Sequence, residues 1–371
     1  MPQTILTPSP NYSELDTYLR ANNIKHPLLI CGNSINLLEI GKYFDTVEPR
    51  LNIKITKFTD FQPNPAYESV VKGVQVFRQN ACDCVIAVGG GSAMDVAKCI
   101  KMFATMNDEK DYVEQTIVPN DIKLLAVPTT AGTGSEATRY AVIYYKGEKY
   151  SVTDNSCIPS TVLLDASVLK FLPEYQRKAT MLDAFCHAVE SYWSVNSTNE
   201  SKAYSGEAIQ LLLANKDLYL ANDDKGNENM LMASNLAGKA INITQTTAGH
   251  AMCYKLTTLY GIAHGHAAAL CVARLWPYMI LNCENCIDSR GIEYLRTMFD
   301  ELAKTMGCEK AQEAAELFRS ILSDLHLEVP IRRSDEDYEI LKNSVNPVRL
   351  KNNPVKLDEN VINDLYHAIL K

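Results

Sequence analysis

The stretch CDCVIAVGGGSAMDVAKCIKMFATM, residues 82–106, decides the fold. An apolar run ends at Gly89-Gly90-Gly91-Ser92, and a pattern of helical period starts at once. Strand, glycine turn and helix together make an arrangement that grips phosphate. Glycines let the backbone approach a ligand, and the helix N-terminus offers unpaired N–H groups and a partial positive charge. The same pattern also occurs as a tight turn that holds nothing, and it fits neither GxGxxG nor GxxxxGK[ST]. By itself the stretch leaves nucleotide binding open.

Outward from it, the first 170 or so residues alternate short apolar runs with helix-like stretches. HPLLICGNS, LNIKITKFTDF, IKLLAVPTT, RYAVIYY and STVLLDA read as strands, rich in Val, Ile, Leu and Tyr and closed by Gly, Pro, Asn or Asp. YESVVKGVQVFRQNA reads as a helix between two of them. Such alternation predicts a mostly parallel sheet covered by helices. LLAVPTTAGTGSEATRY is a second strand-end element, in which the hydroxyls of Thr129 and Thr130 suit a ribose or a phosphate.

After FLPEYQRKATMLDAFCHAVESYWS the texture changes, and long patterns of period 3.6 replace the strands. We place a boundary near residue 172. Residues 1–172 are expected to form an α/β domain and residues 173–371 an all-helical one.

The 371 residues carry 46 % hydrophobic and 22 % charged side chains, an ordinary globular balance. A net charge of −8 argues against nucleic acid or an anionic membrane as partner. Eleven cysteines without a CxxC pair, and a start that lacks the blocks of a secretory signal, predict reduced thiols and a cytoplasmic location.

There are seven histidines. MLDAFCHAVE sets Asp183 and His187 four apart, on one face of a helix. TAGHAMCYKLTTLYGIAHGHAAAL carries His250 in a further helix and His264 in the turn after it. One carboxylate and three imidazoles suit a divalent first-row metal, Fe2+ or Zn2+. Each histidine taken singly also suits an ordinary core or surface position.

Read together, these motifs resemble the iron-containing (group III, metal-dependent) alcohol dehydrogenase family. Its pattern NPxxxxVxxGVxxxRxxxxDxVIAVGGGSxxDxAK is met by Asn64-Pro65, Val70, Gly73-Val74, Arg78, Asp83 and the block through Asp95 and Lys98. PTTAGTGSE stands unchanged from Pro128 to Glu136, and DAFCHAVESYWS, ASNLAGKAI and GHAM…HG follow in order. The resemblance implies an N-terminal dinucleotide-binding α/β domain with a mostly parallel sheet, then an all-α C-terminal domain, with the active site in the cleft between. It implies the metal ligands Asp183, His187, His250 and His264. It further implies NAD(P) contacts from Asn64, Gly90, Gly91, Ser92, Thr129, Thr130 and Lys149. The expected reaction interconverts a small aldehyde and its alcohol, and a homodimer accords with the resemblance. Sugar-phosphate cyclases resembling dehydroquinate synthase share the two-domain plan; a metal-free binding protein of this fold is a further alternative.

Three departures from the family pattern carry expectations. Gly32-Asn33-Ser34 stands where many members have an Asp for the adenosine ribose, which leaves room for a 2′-phosphate and predicts use of NADPH, with NADH as the alternative. Tyr254 replaces a histidine often regarded as a proton relay; a phenol either takes that role or only shapes the pocket. Lys255, His266 and Arg139 are expected to make the substrate end cationic. That variant looks like the subgroup that reduces phosphonoacetaldehyde to 2-hydroxyethylphosphonate. The tail VNPVRLKNNPVKLDENVINDLYHAILK reads as a broken loop and a closing helix without chemistry.

Overall fold

A computed structural model describes residues 3–371. The chain divides after Leu172 into two compact units.

Among the described residues the first unit holds eight strands: β1 (Thr4–Leu6), β2 (Pro27–Cys31), β3 (Thr56–Phe58), β4 (Cys84–Gly89), β5 (Lys123–Pro128), β6 (Tyr140–Tyr145), β7 (Glu148–Thr153) and β8 (Thr161–Leu163). Its helices are α1 (Ser13–Ala21), α2 (Glu39–Leu51), α3 (Tyr67–Gln79) and α4 (Gly91–Phe103). Six strands form one sheet in the order β1-β8-β5-β4-β2-β3, and every pair in it is parallel. Every residue of β2 and of β4 is buried, which is why their sequences are unbroken apolar runs rather than alternating ones. α3 turns Tyr67, Val70, Val74 and Phe77 inward at helical spacing, into a core with Leu28, Ile30, Val85 and Phe103.

Two strands were not expected. β1 has three residues, at the sheet edge. β7, EKYSVT, exposes five of its six side chains and so lacks an apolar signal. It pairs antiparallel with β6 in a separate two-stranded sheet, so RYAVIYY does not extend the parallel sheet as its apolar content suggested.

The second unit is helical: α5 (Glu174–Trp193), α6 (Asn199–Leu220), α7 (Asp224–Thr244), α8 (Ala248–Tyr260), α9 (His264–Leu281), α10 (Ile292–Thr305), α11 (Ala311–Asp324), α12 (Glu336–Asn343), α13 (Pro347–Leu350) and α14 (Glu359–Ile369). α5 runs through its centre and is buried almost throughout from Met181 to Trp193. Trp193 meets Trp276 and Phe299 edge to face there, and Phe318 packs tilted against Trp276 and Phe185. Two glycines let the next helices close on α5. A Cβ on Gly265 would fall 2.0 Å from Ala179 O and 2.6 Å from Asp183 Cβ; one on Gly249 would meet Glu190 Oε1 at 3.0 Å. Each glycine adjoins a histidine of interest, so the close approach brings His250 and His264 to α5. Among the described residues no helix is long and apolar enough to cross a membrane.

Candidate metal centre and cofactor loops

In the helical unit, Asp183 and His187 project from one face of α5. Asp183 Oδ1 lies 4.0 Å from His187 Nε2 and 3.5 Å from His250 Nε2. The rings of His187 and His250 stack at 4.5 Å. One ligand atom from each of these three residues falls within 4.8 Å of the others, and all three residues are buried. His264, first residue of α9, adjoins them with its ring centre 5.4 Å from that of His250, outside the tight triad.

Two observations test this site for a cation. Asp183 Oδ1 and His250 Nε2 are buried without a hydrogen-bond partner, a costly state that a shared cation relieves. The donor set, one carboxylate with imidazoles, is that of Fe2+ and Zn2+ sites. The residues fit a divalent first-row metal.

Glu190, which the sequence reading passed over, fixes the orientation of His250. It is fully buried on α5. Its Oε2 faces His250 Nδ1, and its Oε1 accepts from Thr247 Oγ1 at 2.6 Å, Thr247 N at 3.2 Å and His250 N at 3.3 Å. Trp193 Nε1 holds Thr247 Oγ1 in turn, at 2.9 Å. A carboxylate on Nδ1 sets the tautomer and directs the Nε2 lone pair toward Asp183. Burial pulls the His250 pKa down, but Glu190 and Asp183 override it and push it up to about 9. Burial pushes the Asp183 carboxyl up, and the facing His187, His250 and His264 outweigh it, holding it well below the usual range. Any cation must therefore displace a proton at neutral pH. Positions 183, 187 and 190 share a helix face, and that spacing was the signal available in the sequence.

Tyr254 stacks on His264, ring centres 5.4 Å apart and planes 17° apart. Burial pushes its phenol up to about 12. Lys255 is half-buried on α8, and its side chain bonds no described residue. His266 does not add charge. It is buried, contacts Tyr175 OH through Nδ1 at 3.2 Å, and burial lowers its pKa to about 4.

In the α/β unit, the strand order reverses between β2 and β4: the chain adds β3 on one side and β5 and β8 on the other. Ligands of open parallel sheets bind outside the carboxyl ends at such a switch point. Gly32-Asn33-Ser34 follow β2 there, and Gly90–Ser92 follow β4; in β5, Pro128 pairs with Gly89 and leads into Thr129 and Thr130. Thr129 N donates to Gly89 O at 3.0 Å, and a Cβ on Gly90 would lie 3.2 Å from Thr130 Cγ2. The two loops thus touch. α4 begins at Gly91 with no side chain capping it, which leaves its first N–H groups for an anion. Lys98, buried on α4, holds the second loop: its three Nζ hydrogens are shared among Ser135 Oγ, Thr138 O, Thr138 Oγ1 and Tyr140 O at 2.7–3.2 Å. A Cβ on Gly32 would meet nothing among the described residues within 4 Å, and Asn33 and Ser34 are exposed. Asn64, left-handed at φ 59°, precedes α3. Lys149 stands on exposed β7, and its charge reaches Asp95. Arg139 stacks on Tyr140 in this unit, 5.3 Å from the ring centre.

Comparison with known proteins decides the family. The model of the iron-containing alcohol dehydrogenase family matches residues 2–166, and that of the Fe-containing alcohol dehydrogenase family, C-terminal, matches residues 178–370. The chain belongs to the iron-containing alcohol dehydrogenase family. It is 31 % identical to alcohol dehydrogenase 4 of Schizosaccharomyces pombe, over 89 % of this chain and 78 % of that protein. It is 32 % identical to phosphonoacetaldehyde reductase of Streptomyces viridochromogenes, over 78 % and 77 % respectively. The crystal structure of sulfoacetaldehyde reductase from Bifidobacterium kashiwanohense in complex with NAD+ superposes with a TM-score of 0.88 at 24 % identity, covering 99 % of this chain and 97 % of that one, and shows the same fold. As a member of this alcohol dehydrogenase family the chain is a metal-dependent, NAD-dependent aldehyde/alcohol oxidoreductase.

Proposed function

We propose that this enzyme reduces phosphonoacetaldehyde to 2-hydroxyethylphosphonate with NADPH, at Fe2+ or Zn2+ held by Asp183, His187, His250 and His264. The observation that carries the metal reading is the pair of orphaned atoms, Asp183 Oδ1 and His250 Nε2, converging in a buried site. Support for the substrate comes from the likeness to phosphonoacetaldehyde reductase.

When bound, the cation supplies Lewis-acid polarisation of the substrate oxygen and the nicotinamide supplies hydride. The chain's own residues do the rest. Gly90, Gly91, Ser92, Thr129 and Thr130 receive the dinucleotide phosphates and ribose, aided by Asn64 and Lys149. Gly32, Asn33 and Ser34 accept a 2′-phosphate, since no carboxylate stands there to repel it. Glu190 holds His250 with Nε2 inward. Tyr254 keeps its proton at neutral pH, walls the site beside His264 and donates to the substrate, and Lys255 adds positive charge next to it. Eleven scattered cysteines without a CxxC pair support a cytoplasmic location, and the family resemblance supports a homodimer.

A panel of aldehydes with NADPH and NADH, on Fe2+- and Zn2+-loaded protein, tests the reading. The highest kcat/KM is expected for phosphonoacetaldehyde with NADPH. Preference for plain aliphatic aldehydes, or for NADH, would overturn the corresponding half.

A further inference from the structure

The tail that showed no chemistry in the sequence brings an arginine to the metal centre. Residues 345–353 are fastened over the junction between α7 and α8. Asn352 Nδ2 donates to Gln245 Oε1 at 3.2 Å and to Thr246 O at 3.1 Å, and Val195 N donates to Asn352 O at 3.0 Å. Asn346 caps α13 by accepting from Val348 N at 2.9 Å. Arg349, half-buried on α13, donates from Nη1 to Thr246 Oγ1 at 2.9 Å. Its guanidinium carbon then stands 6.0 Å from the centre of the Tyr254 ring, the ring that stacks on His264. One aromatic side chain separates a fixed cation from the candidate ligand His264.

Among the described residues Arg349 pairs with no carboxylate, and most of its five N–H donors remain available. Those donors can receive an anion that approaches from the solvent side. Its planar fork matches the oxygens of a phosphonate two at a time, as a lysine ammonium does not. In phosphonoacetaldehyde a single methylene separates the aldehyde from the phosphonate, so an anion anchor must lie close to the reacting centre.

We propose that Arg349 binds the phosphonate of the substrate, and so selects aldehydes that carry an anion on the adjacent carbon. This rests on the reading of the site as aldehyde-reducing. Arg349 takes the place that His266 was expected to fill.

Calorimetry of 2-hydroxyethylphosphonate binding to the metal-loaded enzyme is the test, with Arg349→Ala and Arg349→Lys beside the wild type. The expected result is binding weaker by about tenfold or more in Arg349→Ala and partly restored in Arg349→Lys. The ratio of kcat/KM for phosphonoacetaldehyde to that for propanal should fall about tenfold, through KM. Binding in Arg349→Ala within twofold of wild type would overturn the proposal. So would equal losses for both aldehydes, which mark a structural role through Thr246. A wild type that turns over no aldehyde would refute the proposed function, and calorimetry would still decide Arg349.

Discussion

Replacing Glu190 by Gln keeps size and removes one charge at the heart of the metal centre. The carboxylate accepts at both oxygens: Oε1 takes three donors from Thr247 and His250, and Oε2 faces His250 Nδ1. An amide cannot do both. With its carbonyl at the Oε1 position, its NH2 donates to His250 Nδ1 and forces the imidazole proton onto Nε2, the atom that faces Asp183. With the amide reversed, its N–H groups meet the backbone N–H groups of Thr247 and His250, and unmet buried donors cost about 1–3 kcal/mol. Either way the ligand is spoiled from behind. Loss of such an outer partner lowers metal affinity by about 10–100-fold, or about 1.4–2.7 kcal/mol. The assay is a chelator-buffered Zn2+ titration of metal-free wild type and Glu190→Gln at about pH 9.5. That lies above the value near 9 of His250, so proton competition does not mask the loss. A dissociation constant within twofold of wild type would refute this account of Glu190.

Gly265→Ala would place a methyl group 2.0 Å from Ala179 O and 2.6 Å from Asp183 Cβ, so α9 must move off α5 and take His264 with it. We expect a loss of about 1–3 kcal/mol or more, seen as a fall in Tm of about 2–4 °C per kcal/mol, together with weaker Zn2+ binding; an unchanged Tm would contradict the packing. Asp95 is held by Ser135 beside Lys98, and burial raises its pKa to about 6. A raised carboxylate pKa means that the folded state binds the extra proton. Stability is therefore highest below the ordinary value near 4 and falls as pH rises to about 6, by about 2–3 kcal/mol. Thermal melts of Asp95→Asn should lack that fall, and a parallel decline in both proteins would remove Asp95 as its source.

How much of this was legible in sequence depended on what each residue faces. β2 and β4 announced themselves because strands buried on both faces must be apolar throughout. β7 did not, because its side chains face outward and its pairing with β6 supplies what its composition lacks. Asp183, His187, His250 and His264 stood out as candidates in the sequence; packing makes the first three a tight group and leaves His264 at its margin. The two glycines beside the histidines were read only as letters of a motif; their work is the close approach to α5. His266 misled because a histidine carries charge only where its surroundings allow, and burial against Tyr175 denies it. Arg349 was invisible because its neighbours Thr246 and Tyr254 lie about a hundred positions away along the chain, and no local pattern encodes that path.

The central claim is that Asp183, His187, His250 and His264 clasp one divalent cation. An anomalous-difference map collected at the zinc edge, on crystals of Zn2+-loaded protein, tests it most directly. The account predicts one strong peak about 2.0–2.2 Å from an oxygen of Asp183 and from one nitrogen of each of the three histidines. A peak elsewhere, or a cation that ignores His264, would contradict it.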